Sequence, residues 1–263
     1  SIGLVGSEMC IRDSARTALV NYLFCRSISG EMMLRIDDTD EERSKKEFEE
    51  NIKSDLNWMG IFWEMTDRQS TRIKNYNDAL NKLFESGRAY RCYETQAELS
   101  LKRKAQLMSG KPPVYDRQGL SLQQKDHDKF ANEGKLPHWR FKLTDDEVVW
   151  DDLIRGKCTY DMRSLSDPVI MREDGRPIYT LASVVDDIDH EITHIIRGED
   201  HVTNSAAQIQ LFKALGIQPP SLGHLSLIAG SEGEGLSKRL GSLSLGQLKH
   251  CLLYTSPSPR DRS

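Results

Sequence analysis

Cysteine is scarce in this 263-residue chain: there are five, Cys10, Cys25, Cys92, Cys158 and Cys251, and no two stand in Cys-x-x-Cys spacing. An odd, scattered set argues against a disulfide framework and against a structural zinc site, so reduced thiols are expected. Long apolar runs are missing too. None approaches the ~20 residues of a membrane span, and the start lacks the charged-then-apolar pattern of a secretory signal, which makes a cytoplasmic location the expectation. Positive charge is not in excess either. A formal net charge of −4 gives no general pull toward nucleic acid, whose affinity rests on Lys and Arg contacts to phosphate. Binding of that kind must use a local patch. One candidate is Leu101 to Lys111, with Lys102, Arg103, Lys104 and Lys111, although a charged run is more commonly a solvated helix face.

What is present is enough for a soluble globular protein with one large domain or two ordinary ones. Helical spacing of Ala15, Ala18, Leu19, Tyr22 and Leu23 predicts a helix over 15–29, stopped by Gly30 as a left-handed terminator. A strand follows over 31–36. A capping box at Ser44 to Glu47 opens a helix striped by Phe48, Ile52, Leu56 and Met59 and ended at Gly60. Another helix over 72–86 carries Ile73, Tyr76, Leu80, Leu83 and Phe84, with Gly87 behind it.

From Ala89 the texture changes. A strand over 90–93 precedes a second capping box, Thr95 to Glu98, and a basic helix to Gly110; then comes a polar stretch through Pro112 and Pro113 to Gly134. Short strands are expected at 138–143, 148–150, 159–162 and 169–171. Alternation returns as a helix over 179–188, a strand over 194–197, a helix over 205–215 and a strand over 222–228. Such alternation favours an α/β fold with a parallel sheet, here split by an inserted α+β subdomain. The expected division is 15–89 and 173–250 for the two halves of the main domain and 90–172 for the insertion. Residues 1–14 and 251–263 are read as non-native tails, because Gly6 to Ser14 and Leu253 to Asp261 resemble translated sequencing-adapter sequence.

Leu34-Arg35-Ile36-Asp37-Asp38-Thr39-Asp40 is an apolar strand breaking into three carboxylates. Ligands of open α/β sheets sit beyond the carboxyl ends of the strands. On its own the cluster admits a Mg²⁺ site, a site for an organic cation, or a turn that caps the next helix.

Four segments in order narrow this: Arg35 to Asp40, Tyr179 to Asp187, Ile195-Ile196-Arg197-Gly198-Glu199-Asp200-His201, and Gly235-Leu236-Ser237-Lys238-Arg239-Leu240. Together they resemble the catalytic core of the glutamyl-tRNA synthetases, class I aminoacyl-tRNA synthetases, from about Ala15 to Leu245. The resemblance implies a Rossmann-like catalytic domain with a parallel sheet, split by an acceptor-stem-binding subdomain. It implies that Arg197 grips the side-chain carboxylate of L-glutamate, that Asp37 takes the ammonium group, and that Tyr179 and Ser183 line the pocket, Ser183 standing where an amide side chain is usual. An arginine suits that task because its planar guanidinium can meet a carboxylate with two parallel N–H groups. Leu236 to Leu240 resembles the KMSKS loop, with Gly235 in place of its first lysine. Catalysis is accordingly assigned to Ser237, Lys238 and Arg239, and ATP contacts to Leu236, Lys238, Asp200 and His201.

The resemblance further implies ATP with Mg²⁺ and tRNA-Glu as partners, no membrane, and a monomer. It also exposes departures. Where the HIGH motif is expected, just before Ala15, the chain has Ile11-Arg12-Asp13-Ser14, so little or no catalysis is expected from the chain as written. Some relatives hold zinc in the insertion, but here Cys92 stands with Glu94 and Gln118, and no zinc is expected. Competing readings are the shorter paralogue that glutamylates a base of tRNA-Asp, a Mg²⁺-dependent phosphoryl or prenyl transferase built on Asp37, Asp38 and Asp40, and a non-catalytic tRNA-binding fragment. Glutaminyl-tRNA synthetase is disfavoured by Thr39-Asp40. The transferase leaves Arg197 and Lys238 unexplained.

Overall fold

The computed structural model describes residues 11–39, 46–110 and 112–227. Asp40, Ser44, Lys111 and the whole Leu236 to Leu240 loop lie outside the described residues.

Helix α1 (Ile11–Ser27) begins upstream of the expected Ala15. Its buried side is Ala15, Ala18, Asn21 and Cys25, while Leu19 and Leu23 are exposed, so the expected stripe is rotated onto smaller residues. Small side chains let the helix lie close to a strand, and Asn21 Nδ2 donates to the carbonyl of Ile196 at 2.9 Å. The terminator also differs from expectation. Ser29 takes the left-handed conformation at φ +53°, and Gly30 instead donates its N–H to the Cys25 carbonyl at 2.8 Å.

Strand β1 (Met33–Ile36) passes through α2 (Lys46–Trp58) to the parallel strand β2 (Met65–Arg68), with Leu34 opposite Thr66. Nothing in the sequence pattern announced β2, because Met65-Thr66-Asp67-Arg68 has neither alternation nor an apolar run. Helix α3 (Ile73–Glu85) then buries Tyr76, Ala79, Leu80 and Leu83, each large side chain contributing about 2 kcal/mol by leaving water.

A three-stranded antiparallel sheet of β3 (Ala89–Cys92), β4 (His138–Phe141) and β7 (Val169–Met171) follows, in the order β3-β4-β7. Helix α4 (Gln96–Met108) starts at the expected capping box: Thr95 N–H donates to Glu98 Oε2 at 2.7 Å, and Glu98 N–H donates to Thr95 Oγ1 at 3.3 Å. Helix α5 (Gln124–Asn132) lies within the polar stretch, where no element was expected. It buries no residue, so it leaves no apolar signal; its start is marked by the Gln123 N–H donating to Asp126 Oδ2 at 2.8 Å.

The third sheet has the order β6-β5-β9-β8. The hairpin β5 (Glu147–Asp152) and β6 (Gly156–Asp161) is joined to β9 (Ser221–Leu225) by parallel pairing at Asp152 and Leu222, and β9 runs parallel to β8 (His194–Gly198). The hairpin expected inside the insertion thus shares a sheet with the strands that follow the insertion. Helix α6 (Tyr179–Asp189) leads into β8, and α7 (Val202–Ala214) connects β8 to β9. Residues Ser205 to Phe212 of α7 are all buried, which obliges Ser205, Gln208 and Gln210 to find hydrogen-bond partners inside the molecule. Two of the three face the candidate site. The main core joins α3, α6 and α7 through Tyr76, Leu83, Leu181, Val184, Leu211 and Phe212, and a smaller one gathers Ala18, Met32, Leu34, Leu56 and Ile61.

Candidate active site

Arg197 stands one residue before the carboxyl end of β8, only 9% exposed. Its Nη1 donates to the Tyr179 hydroxyl at 2.9 Å, and its Nη2 donates to Ser205 Oγ and to Gln208 Oε1, both at 2.6 Å. Among the described residues its hydrogen-bond partners are all neutral. Both Nη2 protons are engaged, whereas Nε is buried with no acceptor. A buried cation surrounded by neutral acceptors, with a donor left over, is an arrangement that an incoming carboxylate completes. Arg197 makes no ion pair with its near sequence neighbours Glu199 and Asp200: Glu199 is held by Arg155 at 2.5 Å and by the Leu227 N–H at 2.9 Å, and Asp200 lies 3.8 Å from His201.

Asp37 carries the complementary deficit. Its Oδ1 accepts from Arg35 Nε at 2.8 Å, while Oδ2 is buried with no partner. Burial raises its pKa, opposed by the Arg35 charge. Arg35 reaches from there to Asp187, its Nη1 donating to Oδ1 at 3.1 Å, and Asp187 in turn feels the charge of Arg197. One chain of charges, Asp37, Arg35, Asp187 and Arg197, therefore joins the end of β1 to the end of β8. Asp38 does something else. It accepts from Arg68 Nη1 at 2.9 Å and from the Ser70 N–H and hydroxyl, both at 2.8 Å, and so fastens the loop.

Tyr179 and Ser183, one turn apart on α6, meet Arg197 from one side. Ser183 Oγ donates to the Tyr179 carbonyl at 2.6 Å and accepts from Gln208 Nε2 at 2.7 Å, so its hydroxyl proton serves the helix. The His201 ring lies 5.7 Å from that of Tyr179, tilted by 53°, and burial depresses its pKa, assisted by the Arg197 charge. Tyr179, Ser183, Arg197 and His201 belong to one neighbourhood, to which Asp37 is linked through Arg35 and Asp187; Asp200 sits at its exposed margin. Leu236, Ser237, Lys238 and Arg239 fall outside the described residues.

Several members escaped sequence reasoning as site residues: Arg35, Asp187, Ser205 and Gln208. A signal existed for two of them, since Arg35 interrupts the apolar strand Met33-Leu34-Arg35-Ile36 and the mostly apolar run Leu181 to Val185 ends in Asp186-Asp187. Charges of opposite sign in two apolar elements imply a buried pair.

Asp187 gives a pH-dependent consequence. Burial pushes its pKa up to about 6, against the pull of Arg35 and Arg197. Between roughly pH 4 and 6 the folded chain keeps a proton that the unfolded chain has released, so this group's stabilising contribution declines as pH rises through that window. Asp187→Asn should remove the decline, gaining on the order of 2 kcal/mol relative to the parent across the window. Urea denaturation from pH 4 to 6.5 measures it, and two parallel stability curves would contradict the assignment.

The insertion was expected to hold no zinc. Cys92, Glu94 and His138 have possible ligand atoms within 4.8 Å of one another, and His138, on the neighbouring strand, was not anticipated. Three donors fall short of the four of a closed structural site. Gln118 does not complete the set, because its Oε1 accepts from Lys102. On one side the thiol is crowded: the backbone of Gly119 approaches so closely that a Cβ there would stand 2.7 Å from Cys92 Sγ. The Tyr115 hydroxyl lies 3.4 Å from Cys92 Sγ and donates to Glu94 Oε1 at 2.8 Å, while Glu94 Oε2 and His138 Nε2 are buried without a hydrogen-bond partner. Among the described residues the cluster therefore offers three donors, one short of a closed structural zinc site.

The family described as tRNA synthetases class I (E and Q), catalytic domain, matches residues 13–250. The chain belongs to this family. Glutamate–tRNA ligase 1 of Maricaulis maris is 52% identical over 236 residues, which cover 90% of this chain and 53% of that protein. Glutamate–tRNA ligase 2 of Beijerinckia indica is 55% identical over 238 residues, with the same coverage. The crystal structure of a glutamate tRNA ligase from Elizabethkingia meningosepticum in complex with its amino acid superposes with a TM-score of 0.83 at 31% identity, covering 91% of this chain and 52% of that one. This chain thus spans about half the length of the relatives it matches. The fold is the α/β fold of the class I synthetase catalytic domain, as the sequence implied. Among the described residues no helix is long and apolar enough to cross a membrane.

Proposed function

We propose that this chain is the amino-acid-activating part of a glutamate–tRNA ligase, which joins L-glutamate to ATP and passes the glutamyl group to the 3′ end of tRNA-Glu. The observation that carries the reading is the pair of unsatisfied buried atoms, Arg197 Nε and Asp37 Oδ2. Glutamate supplies what each lacks, a side-chain carboxylate for the first and an ammonium for the second. The names and ligand of the relatives support the same choice. A phosphoryl or prenyl transferase built on the aspartates is disfavoured because Asp38 is fully engaged with Arg68 and Ser70.

In the proposed reaction the α-carboxylate oxygen of bound glutamate attacks the α-phosphorus of ATP, the bond to the β-phosphate oxygen breaks, and pyrophosphate leaves. Tyr179, Ser205 and Gln208 hold the Arg197 guanidinium while it orients the substrate. Lys238, with Ser237 and Arg239, stabilises the charge that develops on the phosphates; Leu236, Asp200 and His201 contact the nucleotide. Mg²⁺ bound with ATP would screen phosphate charge. In this reading residues 15–89 and 173–250 form the catalytic unit, with the hairpin β5–β6 in one sheet with its β9 and β8, and the rest of 90–172 meets the acceptor stem of the tRNA. The protein works as a monomer in the cytoplasm.

The test is tRNA-dependent ATP/pyrophosphate exchange, run on a polypeptide with a strand carrying the HIGH motif ahead of Ala15. Exchange that requires tRNA-Glu and glutamate and ignores glutamine is expected; turnover of a prenyl diphosphate without such exchange would overturn the proposal. The insertion holds no zinc in this reading. Metal analysis of the purified protein should find well under one zinc per chain, and a stoichiometric ion lost with unfolding would contradict it.

A further inference from the structure

Behind Arg197 runs a buried line of hydrogen bonds that reaches the hairpin. Ser205 Oγ, which accepts from Arg197 Nη2 at 2.6 Å, lies 2.7 Å from His224 Nε2, and His224 Nδ1 lies 2.5 Å from Asp152 Oδ2. Ser205 and His224 have no exposed surface and Asp152 is 5% exposed. Four elements meet in this line: β8, α7, β9 and the end of β5.

We propose that Ser205, His224 and Asp152 are positioning residues for Arg197, a relay that fixes the guanidinium in the attitude needed to receive a carboxylate. The proposal rests on the glutamate reading for its purpose, though not for its geometry.

Asp152 is itself rigidly held. Its Oδ1 accepts from the N–H groups of Ile154, Arg155 and His224, each at 3.1 Å. These contacts oppose burial and, together with His224, hold its carboxyl down at about 2, so it is a carboxylate at neutral pH. An ionised acceptor beside Nδ1 fixes the proton there, which leaves His224 Nε2 as an acceptor. Ser205 must then donate to Nε2, and its oxygen lone pairs are free for Arg197. Every bond points the same way, from Arg197 through Ser205 and His224 to Asp152. Chains of this polarity reinforce each other in a low-dielectric interior.

The alternative polarity is disfavoured by the surrounding charges. Arg197 on β8 and Arg155 beyond β5 both face His224; burial first, then the Arg197 charge, keep its pKa below the ordinary value, against Asp152. If His224 were protonated, Nε2–H would point at Ser205, and the hydroxyl would have to turn to the His201 carbonyl, 3.1 Å away. The relay also explains a residue pattern that the reaction does not need. A serine–histidine–aspartate line with no exposure for its serine and histidine has no route to a substrate of its own, so its only client is the arginine it touches.

The test uses ¹⁵N NMR and glutamate titration on the chain, with Ser205→Ala and Asp152→Asn. In the parent, His224 should show the Nδ1–H tautomer, and the Arg197 Nη2 protons should exchange and rotate slowly. Ser205→Ala should free the Arg197 side chain and weaken glutamate binding about tenfold, as loss of one charge-assisted hydrogen bond does. Asp152→Asn should shift His224 toward the Nε2–H tautomer with a similar loss, while the amide spectrum stays folded in both variants. An unchanged Arg197 signal and unchanged affinity in both variants would overturn the relay. The parent showing the tautomer and the slow Arg197 protons but no glutamate binding would overturn the glutamate reading and leave the relay standing.

Discussion

In the polypeptide that carries the HIGH strand, Arg197→Ala should lower kcat/KM for glutamate-dependent exchange by roughly 10²- to 10³-fold, mostly through KM. Removing one partner of a buried, hydrogen-bonded charge pair costs about 2–5 kcal/mol, because the carboxylate is left buried without a cation. The truncation also strips the donor from Tyr179, Ser205 and Gln208, leaving Ser205 with His224 and Gln208 with Ser183. Selectivity should suffer more than rate. A guanidinium distinguishes a carboxylate from a neutral amide by charge, so the preference for glutamate over glutamine should collapse in the variant. Arg197→Lys should recover only part of it, since an ammonium group is a point charge without the planar pair of donors. Steady-state exchange with both amino acids measures this. A variant that keeps the parental preference would show that selection lies elsewhere.

Asp186→Ala should destabilise the fold by about 3–5 kcal/mol, the cost of breaking a buried ionic cluster from one side. Asp186 is fully buried and accepts from Arg72 Nε at 2.7 Å, the Tyr76 hydroxyl at 2.8 Å and Gln69 Nε2 at 2.9 Å, with Arg35 Nε at 3.6 Å. Without it two guanidinium groups lose their shared anion and a tyrosine hydroxyl in the core loses its acceptor. Burial and the neighbouring carboxylate together drive the Tyr76 pKa far up, so that hydroxyl stays a donor throughout. Asp186→Asn should cost less, because one oxygen remains. Urea denaturation followed by circular dichroism gives both values, and a loss under 1 kcal/mol for alanine would contradict the role. The cluster matters to function because the same Arg35 holds Asp37.

The contrast between what could and could not be read from the residues has a physical basis. Helices α3, α6 and α7 were legible because each buries a continuous apolar side, and the order of α/β elements followed from their alternation. Strand β2 and helix α5 were not, because one is a polar four-residue strand and the other buries nothing. Helix α1 was legible in place but not in orientation: its buried side is made of Ala15, Ala18, Asn21 and Cys25, whose small size mattered more than the hydrophobicity of Leu19 and Leu23.

In the candidate site, Asp37, Tyr179 and Arg197 were named through the family resemblance. Their supports could not. Ser205, Gln208 and His224 are ordinary polar residues until folding removes their water, and only the tertiary arrangement shows that each must pair with another. The hairpin is the same kind of case. Its pairing to β9 hangs on Asp152 and Leu222, residues 70 positions apart, and no local pattern in Glu147 to Asp161 points to that partner.

The central claim is that one amino acid satisfies both Arg197 and Asp37. A crystal structure of the protein with bound L-glutamate tests it most directly. The side-chain carboxylate should lie within hydrogen-bonding distance of Arg197 Nε and the ammonium within reach of Asp37 Oδ2. Glutamate bound in the reverse orientation, or away from both residues, would contradict the claim.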